Sequence, residues 1–300
     1  MKYLVIGAGG LIGSRFVELS KKGDKILSPT EKKLDITNGT SVAKYFKQNK
    51  DKFDVVINFA AYTNVDGAER QRGNKKGIVW RINVDGAKNV AEACQKYGKF
   101  LIHISTDFVF PGTKEKPGPY SESAKLPEKM GGIAWYGWTK LVGERKVKNA
   151  NKYVAIVRTA YPFRAALYKQ KLDFARNILS LYDDAKLYPM FADQKMTPVF
   201  IDDLVKVLKK IVRLKKGGVY HVVTSDSTTP YEFASYLLEK ARGVKGVVKK
   251  GSMEDFLKAP GRTPRPSLGV LDSRKTQKIL GMRFRTWKQV VNEFVRQLKE

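Results

Sequence analysis

Cysteine is almost absent from this chain, with one residue among 300. A single Cys94 excludes an internal disulfide and a zinc site built on cysteine ligands, and such usage is typical of a reducing compartment. We therefore expect a cytoplasmic protein in which Cys94 is a small buried residue on a helix. Histidine is also rare: His103 and His221 lie in predicted strands without an acid or a third ligand at metal-binding spacing. We interpret both as packed sheet residues and expect no metal.

Long hydrophobic runs are missing too. No stretch approaches the roughly 18 apolar residues that cross a bilayer, so we expect no membrane association. The apolar start at Lys2–Ile6 is too short for the core of a signal peptide and continues directly into glycines, which predicts a first strand and no export. Hydrophobic residues make up 42% and charged residues 29% of the chain, as in soluble globular proteins.

Acidic residues are scarce relative to basic ones. The chain has 29 Asp and Glu against 57 Lys and Arg, which gives a net charge of +28. Such an excess attracts anionic partners, either a nucleotide-linked small molecule or a nucleic acid. The lysines, however, are spread in ones and twos from Lys2 to Lys299, and no segment combines them with aromatic residues in a stripe. This distribution favours a generally lysine-rich composition and argues against nucleic-acid binding.

Short apolar runs alternate with amphipathic stretches through the first 110 residues, which is the pattern of crossover units on a parallel sheet. The pattern predicts strands at 3–6, 25–27, 54–59 and 100–104, and helices at 11–22, 40–48 and 78–97. A loop rich in proline and glycine, 111–132, precedes a helix at 135–148 and a buried strand at 153–157. The remainder predicts helices at 173–181, 202–215, 231–242, 273–280 and 287–298, with short strands at 186–188 and 219–223.

Three glycines, Gly7, Gly10 and Gly13, follow the first strand and begin the first helix. Glycines in this position let the backbone turn sharply and approach a pyrophosphate, whose charge the amides at the helix N-terminus stabilise. A glycine triplet is weak evidence alone, but a strand before it, a helix after it and its place at the start of an alternating chain strengthen it. The turn therefore predicts a dinucleotide site.

The second strand lacks the carboxylate that normally binds the adenosine ribose of NAD at its end. The segment 27–33 offers Thr30 and the pair Lys32 and Lys33 instead, which suit a 2′-phosphate. We therefore favour NADP(H) over NAD(H) as the cofactor. The alternative for the lysine pair is a solvated surface turn.

Tyr136 and Lys140 are four residues apart on a predicted helix, so their side chains share one face. A tyrosine with a pKa of about 10 exchanges protons reluctantly near neutral pH, and a neighbouring ammonium favours its anion and lowers that pKa. The pair follows the fourth strand, which ends with Ser105 and Thr106 at the sheet edge where open α/β sheets bind ligands. A hydroxyl there can hold the oxygen of a substrate, or it can cap local backbone.

These observations predict an α/β fold with a doubly wound (Rossmann) parallel sheet and a smaller mixed α/β C-terminal substrate lobe. We expect residues 1–160 to form the dinucleotide-binding domain with the catalytic tyrosine and lysine. Residues 161–300 are expected to form mainly the substrate-binding lobe, with some segments returning to the Rossmann core. Such a protein transfers hydride from a nicotinamide while Tyr136 handles the proton.

The matching motifs extend through nearly the whole chain. They are the glycine turn, segments 34–38, 57–66, 105–112, 136–144 and 157–161, the pairs Asp193-Gln194, Thr197-Pro198 and Arg265-Pro266, and Leu271-Asp272. With them the chain resembles the extended short-chain dehydrogenases/reductases and, within these, the dTDP-4-dehydrorhamnose reductase family. The block Ser-Thr-Asp-Phe-Val-Phe-Pro-Gly at 105–112 and Gln194 with Thr197-Pro198 are the most discriminating pieces.

The resemblance implies a reductase that acts on a nucleotide-linked 4-keto sugar with NAD(P)H. It implies that Tyr136 protonates the alkoxide, that Lys140 binds the nicotinamide ribose and tunes Tyr136, and that Thr106 bonds the reacting oxygen. It places the pyrophosphate at Gly10, Leu11 and Ile12, the adenine at Asp35 and Ile36, and the rest of the cofactor at Ala60, Ala61, Tyr62 and Ile104. It also places the sugar at Thr106, Asp107 and Tyr161.

Three departures lie near the expected substrate mouth. The family usually has tryptophan where this chain has Tyr161, the loop before Tyr136 is a few residues longer, and segment 70–76 is basic where relatives tend to be acidic. The sequence therefore leaves the sugar and the nucleotide open.

Other functions remain open on the same scaffold. The family also resembles the regulatory β subunit of methionine adenosyltransferase, so a non-catalytic NAD(P)-binding regulator is one alternative. Another sugar-nucleotide enzyme is a second, although dehydratases usually place an Asp-Glu pair after the strand-four threonine and this chain has Asp107-Phe108. The oligomeric state is also open, with a homodimer as one candidate.

Overall fold

The computed structural model describes residues 1–20 and 23–299. In chain order its elements are β1 (Lys2–Ile6), α1 (Leu11–Leu19), β2 (Lys25–Leu27), α2 (Gly39–Asn49), β3 (Val55–Asn58), α3 (Val65–Glu69), α4 (Ile78–Trp80), a π-helical segment (Arg81–Gly86), α5 (Ala87–Lys96), β4 (Phe100–Thr106), a 3-10 helix (Asp107–Val109), α6 (Trp135–Ala150), β5 (Val154–Thr159), β6 (Pro162–Phe163), α7 (Phe174–Asp183), β7 (Met190–Phe191), β8 (Val199–Phe200), α8 (Ile201–Leu214), β9 (Gly218–His221), α9 (Pro230–Arg242), β10 (Lys250–Gly251), α10 (Met253–Lys258), α11 (Arg274–Leu280) and α12 (Trp287–Leu298).

The chain forms two compact units. Of the described residues, unit 1 contains those within 1–109, 126–158 and 205–220, and unit 2 contains those within 110–125, 159–204 and 221–299. The predicted functional division, with residues 1–160 for the dinucleotide and 161–300 for the substrate, stays a prediction.

A six-stranded sheet in the order β2-β1-β3-β4-β5-β9 forms the centre of unit 1. The pairs β1–β2, β1–β3 and β3–β4 are parallel, and their register aligns Ile6, Asn58 and His103 across three strands. The carboxyl ends of these strands therefore meet at one edge, where ligands of open α/β sheets bind. This sheet and its flanking helices confirm the predicted doubly wound parallel fold.

Each unit has its own hydrophobic core. In unit 1 the core contains Leu4, Phe46, Val90 and Leu101, all less than 2% exposed, and it also buries Cys94. In unit 2 the ring of Phe163 contacts three other phenylalanine rings, with centroids 5.5 Å apart in each case: Phe200, Phe233 and Phe294. Burial of such aromatic side chains stabilises a fold strongly.

Most predicted elements are present with ends shifted by a few residues. The first predicted helix, 11–22, is observed at Leu11–Leu19, while Lys21 and Lys22 lie outside the described residues. The predicted helix 78–97 is interrupted by the π-helical segment, whose wider turn accommodates tertiary contacts of Asn83 and Gly86.

One predicted strand is wrong. Residues 186–188 are not a strand, because the Lys186 amide donates to the Leu181 carbonyl and closes the end of α7. The strand begins later, at Met190–Phe191, and pairs in parallel with Lys250–Gly251.

No helix in the described part of the chain is long and apolar enough to cross a membrane. Among the described residues, no group of three or more His, Cys, Asp or Glu is placed to hold a metal ion. The histidines pack inside the protein, as predicted: His103 is 1% exposed and His221 is fully buried.

Candidate active site

The glycine turn between β1 and α1 depends on close backbone packing. Gly7 has φ +77°, and a Cβ there would lie 2.6 Å from the Ala60 amide nitrogen, while a Cβ on Gly13 would lie 2.3 Å from the Gly7 carbonyl oxygen. Side chains are therefore excluded at both positions. A Cβ on Gly9, by contrast, would meet nothing within 4 Å, so that side of the turn is open. An open turn before the N-terminus of α1 suits a dinucleotide pyrophosphate.

Asp35 and Ile36, the residues expected at the adenine, are held by local contacts. The Asp35 carboxylate accepts hydrogen bonds from the amide and the hydroxyl of Thr37, both at 2.8 Å. The Ile36 side chain is 6% exposed and packs against Gly86. A Cβ added to Gly86 would lie 2.8 Å from the Ile36 Cδ1. Thr30 is exposed and begins a turn, in which its carbonyl accepts hydrogen bonds from the amides of residues 33 and 34.

The loop after β3 contains Ala60, Ala61 and Tyr62, and all three are partly exposed. Asn83 of the π-helical segment fixes this loop: its Oδ1 accepts from the Tyr62 amide at 2.9 Å, and its Nδ2 donates to the Tyr62 carbonyl at 3.2 Å. The same Nδ2 donates to the Thr139 hydroxyl at 3.0 Å. Asn83 therefore joins the loop expected at the cofactor to the helix that carries Tyr136 and Lys140.

Helix α6 packs through Gly137 directly on the 3-10 helix that follows β4. A Cβ at this position would lie 2.0 Å from the Phe108 carbonyl oxygen, so only glycine permits the approach. The close contact brings the Tyr136 ring against Phe108, with centroids 5.5 Å apart in an edge-to-face arrangement. The Thr106 side chain acts to lower the pKa of Tyr136.

Lys140 lies one turn further along α6 and is 2% exposed. Its Nζ donates to the Ile104 carbonyl at 2.7 Å, so Tyr136 and Lys140 both contact the last residues of β4. Burial lowers the pKa of Lys140 to about 8, although the Glu144 carboxylate acts to raise it.

Tyr136 behaves differently from the sequence-based expectation that a neighbouring ammonium lowers its pKa. Burial raises the pKa of Tyr136 to about 12, and the hydrogen bond with Thr106 opposes this rise. The negative charge of Asp107 raises it further. Desolvation of the phenolate is therefore the largest effect on the pKa of Tyr136.

Asp107 follows Thr106 at the start of the 3-10 helix and is 5% exposed. Its Oδ1 accepts a hydrogen bond from the Thr106 hydroxyl at 2.9 Å. Burial raises the pKa of Asp107 to about 7, against the lowering effect of that hydrogen bond.

A buried ion pair joins Glu144, which lies one turn after Lys140 on α6, to Arg158. The Arg158 guanidinium donates two parallel hydrogen bonds to the Glu144 carboxylate, at 2.9 and 2.7 Å, and both side chains are 1% exposed. Burial raises the pKa of Glu144, but the Arg158 charge and its hydrogen bonds outweigh this and lower the pKa overall. Glu144 is therefore an anion one turn from Lys140.

Tyr161 belongs to unit 2. It has φ +43°, a left-handed conformation that is uncommon for a residue with a side chain. Its hydroxyl accepts a hydrogen bond from Gln194 Nε2 at 2.7 Å, and its ring meets Phe174 edge to face. Strained residues held in this way concentrate at functional sites.

Sequence reasoning missed the structural roles of Asn83, Gly137 and the Glu144–Arg158 pair. Gly137 lies inside the Tyr-x-x-x-Lys motif, and a glycine within a helix was the available signal of a close backbone approach. The other contacts join residues 14 to 56 positions apart, and composition and periodicity carry no signal of them.

The comparisons with known proteins agree with this geometry. The model of the RmlD substrate binding domain family matches residues 1–300. The dTDP-4-dehydrorhamnose reductase of Mycolicibacterium smegmatis is 30% identical over 296 residues, covering 98% of this chain and 85% of the relative. The spore coat polysaccharide biosynthesis protein SpsK of Bacillus subtilis is 29% identical over 297 residues, covering 99% of this chain and 97% of the relative.

Solved structures give the same result. The crystal structure of dTDP-4-dehydrorhamnose reductase from Bacillus anthracis, in complex with NADP, has a TM-score of 0.86 and 30% identity, covering 99% of this chain and 100% of the other. A dTDP-4-dehydrorhamnose reductase from Clostridium acetobutylicum has a TM-score of 0.85 and 30% identity, with full coverage of both chains. The resemblance stated from the motifs is confirmed. The chain belongs to the RmlD substrate binding domain family, that of the dTDP-4-dehydrorhamnose reductases.

Proposed function

We propose that this protein reduces the keto group of a nucleotide-linked 4-keto sugar with NAD(P)H, converting dTDP-4-dehydrorhamnose to dTDP-rhamnose. The observation that carries the proposal is that Tyr136 and Lys140 both contact the last residues of β4. The glycine turn belongs to the same unit. Relatives named dTDP-4-dehydrorhamnose reductase align with almost the whole chain and support the choice of substrate.

The residues of unit 1 fit a dinucleotide. The open side of the glycine turn would hold the pyrophosphate at Gly10, Leu11 and Ile12, and Asp35 with Ile36 would bind the adenine. Ala60, Ala61, Tyr62 and Ile104 would contact the remainder, and Lys140 the nicotinamide ribose. The bound nicotinamide supplies the hydride.

We favour NADP(H) over NAD(H). Thr30 and its neighbours Lys32 and Lys33 are exposed, so they are accessible to a 2′-phosphate. The relative from Bacillus anthracis was crystallised with NADP, which supports this preference.

Tyr136 acts as the proton donor. With a pKa of about 12, the phenol keeps its proton through the operating range and gives it up only to a stronger base. The alkoxide that forms when the ketone accepts hydride is such a base. The protonated form of Lys140 then stabilises the phenolate electrostatically.

On the substrate side, Thr106 and Asp107 would contact the sugar near the reacting carbon. The resemblance also assigns Tyr161 of unit 2 to sugar binding, and its phenol accepts a hydrogen bond from Gln194. Because Tyr161 stands where the family usually has tryptophan, the aromatic surface offered to the sugar is smaller.

Oxidation of NADPH by the pure protein, measured with a panel of nucleotide-linked 4-keto sugars, tests the proposal. We expect turnover with dTDP-4-dehydrorhamnose and formation of dTDP-rhamnose. Tight binding of NADPH without turnover of any sugar in the panel would instead support the non-catalytic regulator. A cytoplasmic location, a possible homodimer and the absence of nucleic-acid binding stay predictions. Light scattering tests the second, and a salt-dependent DNA titration tests the third.

A further inference from the structure

The first turn of α6, which carries Tyr136, has no cap of its own. The residue before the helix, Ala134, forms no side-chain capping bond, and the first turn contains no acid. The first hydrogen bond inside the helix runs from the Trp138 amide to the Ala134 carbonyl at 2.9 Å, so the amides of residues 135–137 need acceptors from elsewhere. Ala134 and Trp135 are each 2% exposed, so water has little access to the first of these amides.

Glu69, the last residue of α3, supplies the missing acceptor from another part of unit 1. Its Oε2 accepts a hydrogen bond from the Trp135 amide at 2.8 Å, although the two residues are 66 positions apart. Its Oε1 accepts from the Arg72 Nε, and the Arg72 Nη2 donates to the Ile133 carbonyl at 2.7 Å. The Glu69–Arg72 ion pair therefore bonds the main chain on both sides of Ala134, and we call this pair the α6 clamp.

The loop that leads into α6 offers little of its own to fix the helix. Gly131 and Gly132 are both exposed, and Gly131 has φ +45°. Beyond the adjacent residues, only the Lys129 carbonyl in the described structure would come within 4 Å of a Cβ added at either glycine. The path of the chain into the helix therefore depends on the contacts that follow, at residues 133–135.

Other contacts of α6 restrain different parts of the helix. The Phe108 carbonyl limits how closely α6 approaches at Gly137, but a steric limit does not stop the helix from moving away. The hydrogen bond from the Lys140 Nζ to the Ile104 carbonyl acts one turn after Tyr136. The α6 clamp acts on the residue directly before Tyr136, so it restrains the turn that carries the phenol.

We propose that Glu69, together with Arg72, is a positioning residue: by binding the Trp135 amide it keeps the Tyr136 phenol within reach of the ketone oxygen of the sugar. Proton transfer requires the donor within hydrogen-bond reach of its acceptor, and a displacement of about 1 Å can lower the rate by about 10². The Glu69 carboxylate also brings a negative charge to the N-terminus of a 16-residue helix, which stabilises the helix dipole. Glu69 acts through the backbone and takes no part in proton or hydride transfer. This inference rests on the proposed function and adds a residue to its machinery.

Steady-state kinetics of NADPH oxidation with dTDP-4-dehydrorhamnose test the inference. Glu69→Ala removes both acceptor oxygens, so kcat should fall by about tenfold while KM for the sugar and for NADPH changes by less than about twofold. Glu69→Gln keeps one oxygen for the Trp135 amide and should recover most of the lost kcat. Arg72→Ala should lower kcat by about threefold, and the double variant should be no worse than Glu69→Ala, because the two side chains act as one unit.

Thr286→Ala is the matched control, because the Thr286 hydroxyl caps α12 of unit 2 by accepting from the Gln289 amide at 3.3 Å. Thr286→Ala and Glu69→Ala each remove an acceptor from a helix N-terminus, so each should lower Tm by roughly 2 °C. Only Glu69→Ala should lower kcat. A Glu69→Ala variant with wild-type kcat, an equal loss of kcat in Thr286→Ala, or no recovery in Glu69→Gln overturns the inference. If Glu69→Ala does not fold, Glu69→Gln and Arg72→Ala carry the test by the same split between kcat and KM.

Hydrogen exchange followed by mass spectrometry gives a readout that needs no turnover. In Glu69→Ala the peptide that covers residues 133–139 should exchange faster than in the wild type, while residues 144–150 at the other end of α6 exchange as before. If exchange responds in this way but the wild type reduces no 4-keto sugar, the proposed function fails and the α6 clamp stands. If the wild type reduces sugar, and Glu69→Ala matches it in both exchange and kcat, the positioning role of Glu69 fails.

Discussion

Removal of Arg158 tests how much the buried Glu144–Arg158 ion pair contributes to the free energy of unfolding. Arg158→Met leaves the Glu144 carboxylate buried at 1% exposure without the guanidinium that bonds it at 2.9 and 2.7 Å. Breaking a buried ion pair from one side costs about 3–5 kcal/mol, because the remaining charge loses its compensation. For a chain of 300 residues the entropy of unfolding near the midpoint is roughly 0.6 kcal/mol per kelvin, so Tm should fall by about 5–8 °C.

The pH dependence of that loss has a definite sign. In the wild type, Arg158 lowers the pKa of Glu144, so the stability from this pair is present above the unfolded pKa of about 4.3 and is lost as pH falls through the folded value. Without Arg158, burial is the largest remaining effect on Glu144 and raises its pKa, so protonation relieves the buried charge at lower pH. The difference in Tm between wild type and variant should therefore be smaller at pH 5 than at pH 8.

Thermal unfolding followed by circular dichroism measures this effect, and the chain provides a matched control. Arg242 bonds Asp183 with the same two-pronged geometry, at 2.8 and 2.6 Å, but on the surface. Arg242→Met should lower Tm by less than about 2 °C, since exposed pairs contribute roughly 0–1 kcal/mol. Equal losses in Arg158→Met and Arg242→Met, or a larger loss for Arg158→Met at pH 5 than at pH 8, would refute the reasoning.

Three further predictions concern the site. Tyr136→Phe should lower kcat by about 10² or more while NADPH affinity, measured by fluorescence titration, barely moves; a fully active variant means that another group donates the proton. Gly137→Ala places a Cβ 2.0 Å from the Phe108 carbonyl oxygen, so α6 must shift, and kcat/KM should fall by at least tenfold in steady-state assays even where the protein stays folded. Replacing Lys32 and Lys33 by alanine should weaken NADPH binding severalfold and leave NADH binding unchanged in calorimetry, and parallel losses for both cofactors would remove the 2′-phosphate assignment.

The fold was predictable where the local pattern determines it. Alternating apolar runs located the strands of the central sheet, and the four-residue spacing of Tyr136 and Lys140 placed both on one helix that the structure confirms as Trp135–Ala150. The register that aligns Ile6, Asn58 and His103 follows from parallel pairing, so the position of the sheet edge could be inferred as well.

The remainder depends on contacts that a linear pattern does not contain. The π-helical segment follows from packing of Gly86 on Ile36, which are 50 residues apart. The direction of the Tyr136 pKa shift was misjudged because spacing gives the distance between two side chains along a helix but not their burial. The Lys140 ammonium is engaged by the Ile104 carbonyl, and desolvation of Tyr136 is the larger effect.

The contact between Gly137 and the Phe108 carbonyl has a consequence for redesign of the enzyme. Because the Phe108 carbonyl limits how close α6 can come to the 3-10 helix after β4, the position of the Tyr136 backbone depends on a main-chain contact. Libraries that vary neighbouring positions to admit other sugars can therefore keep the proton donor in register, provided that the glycine itself is left unaltered.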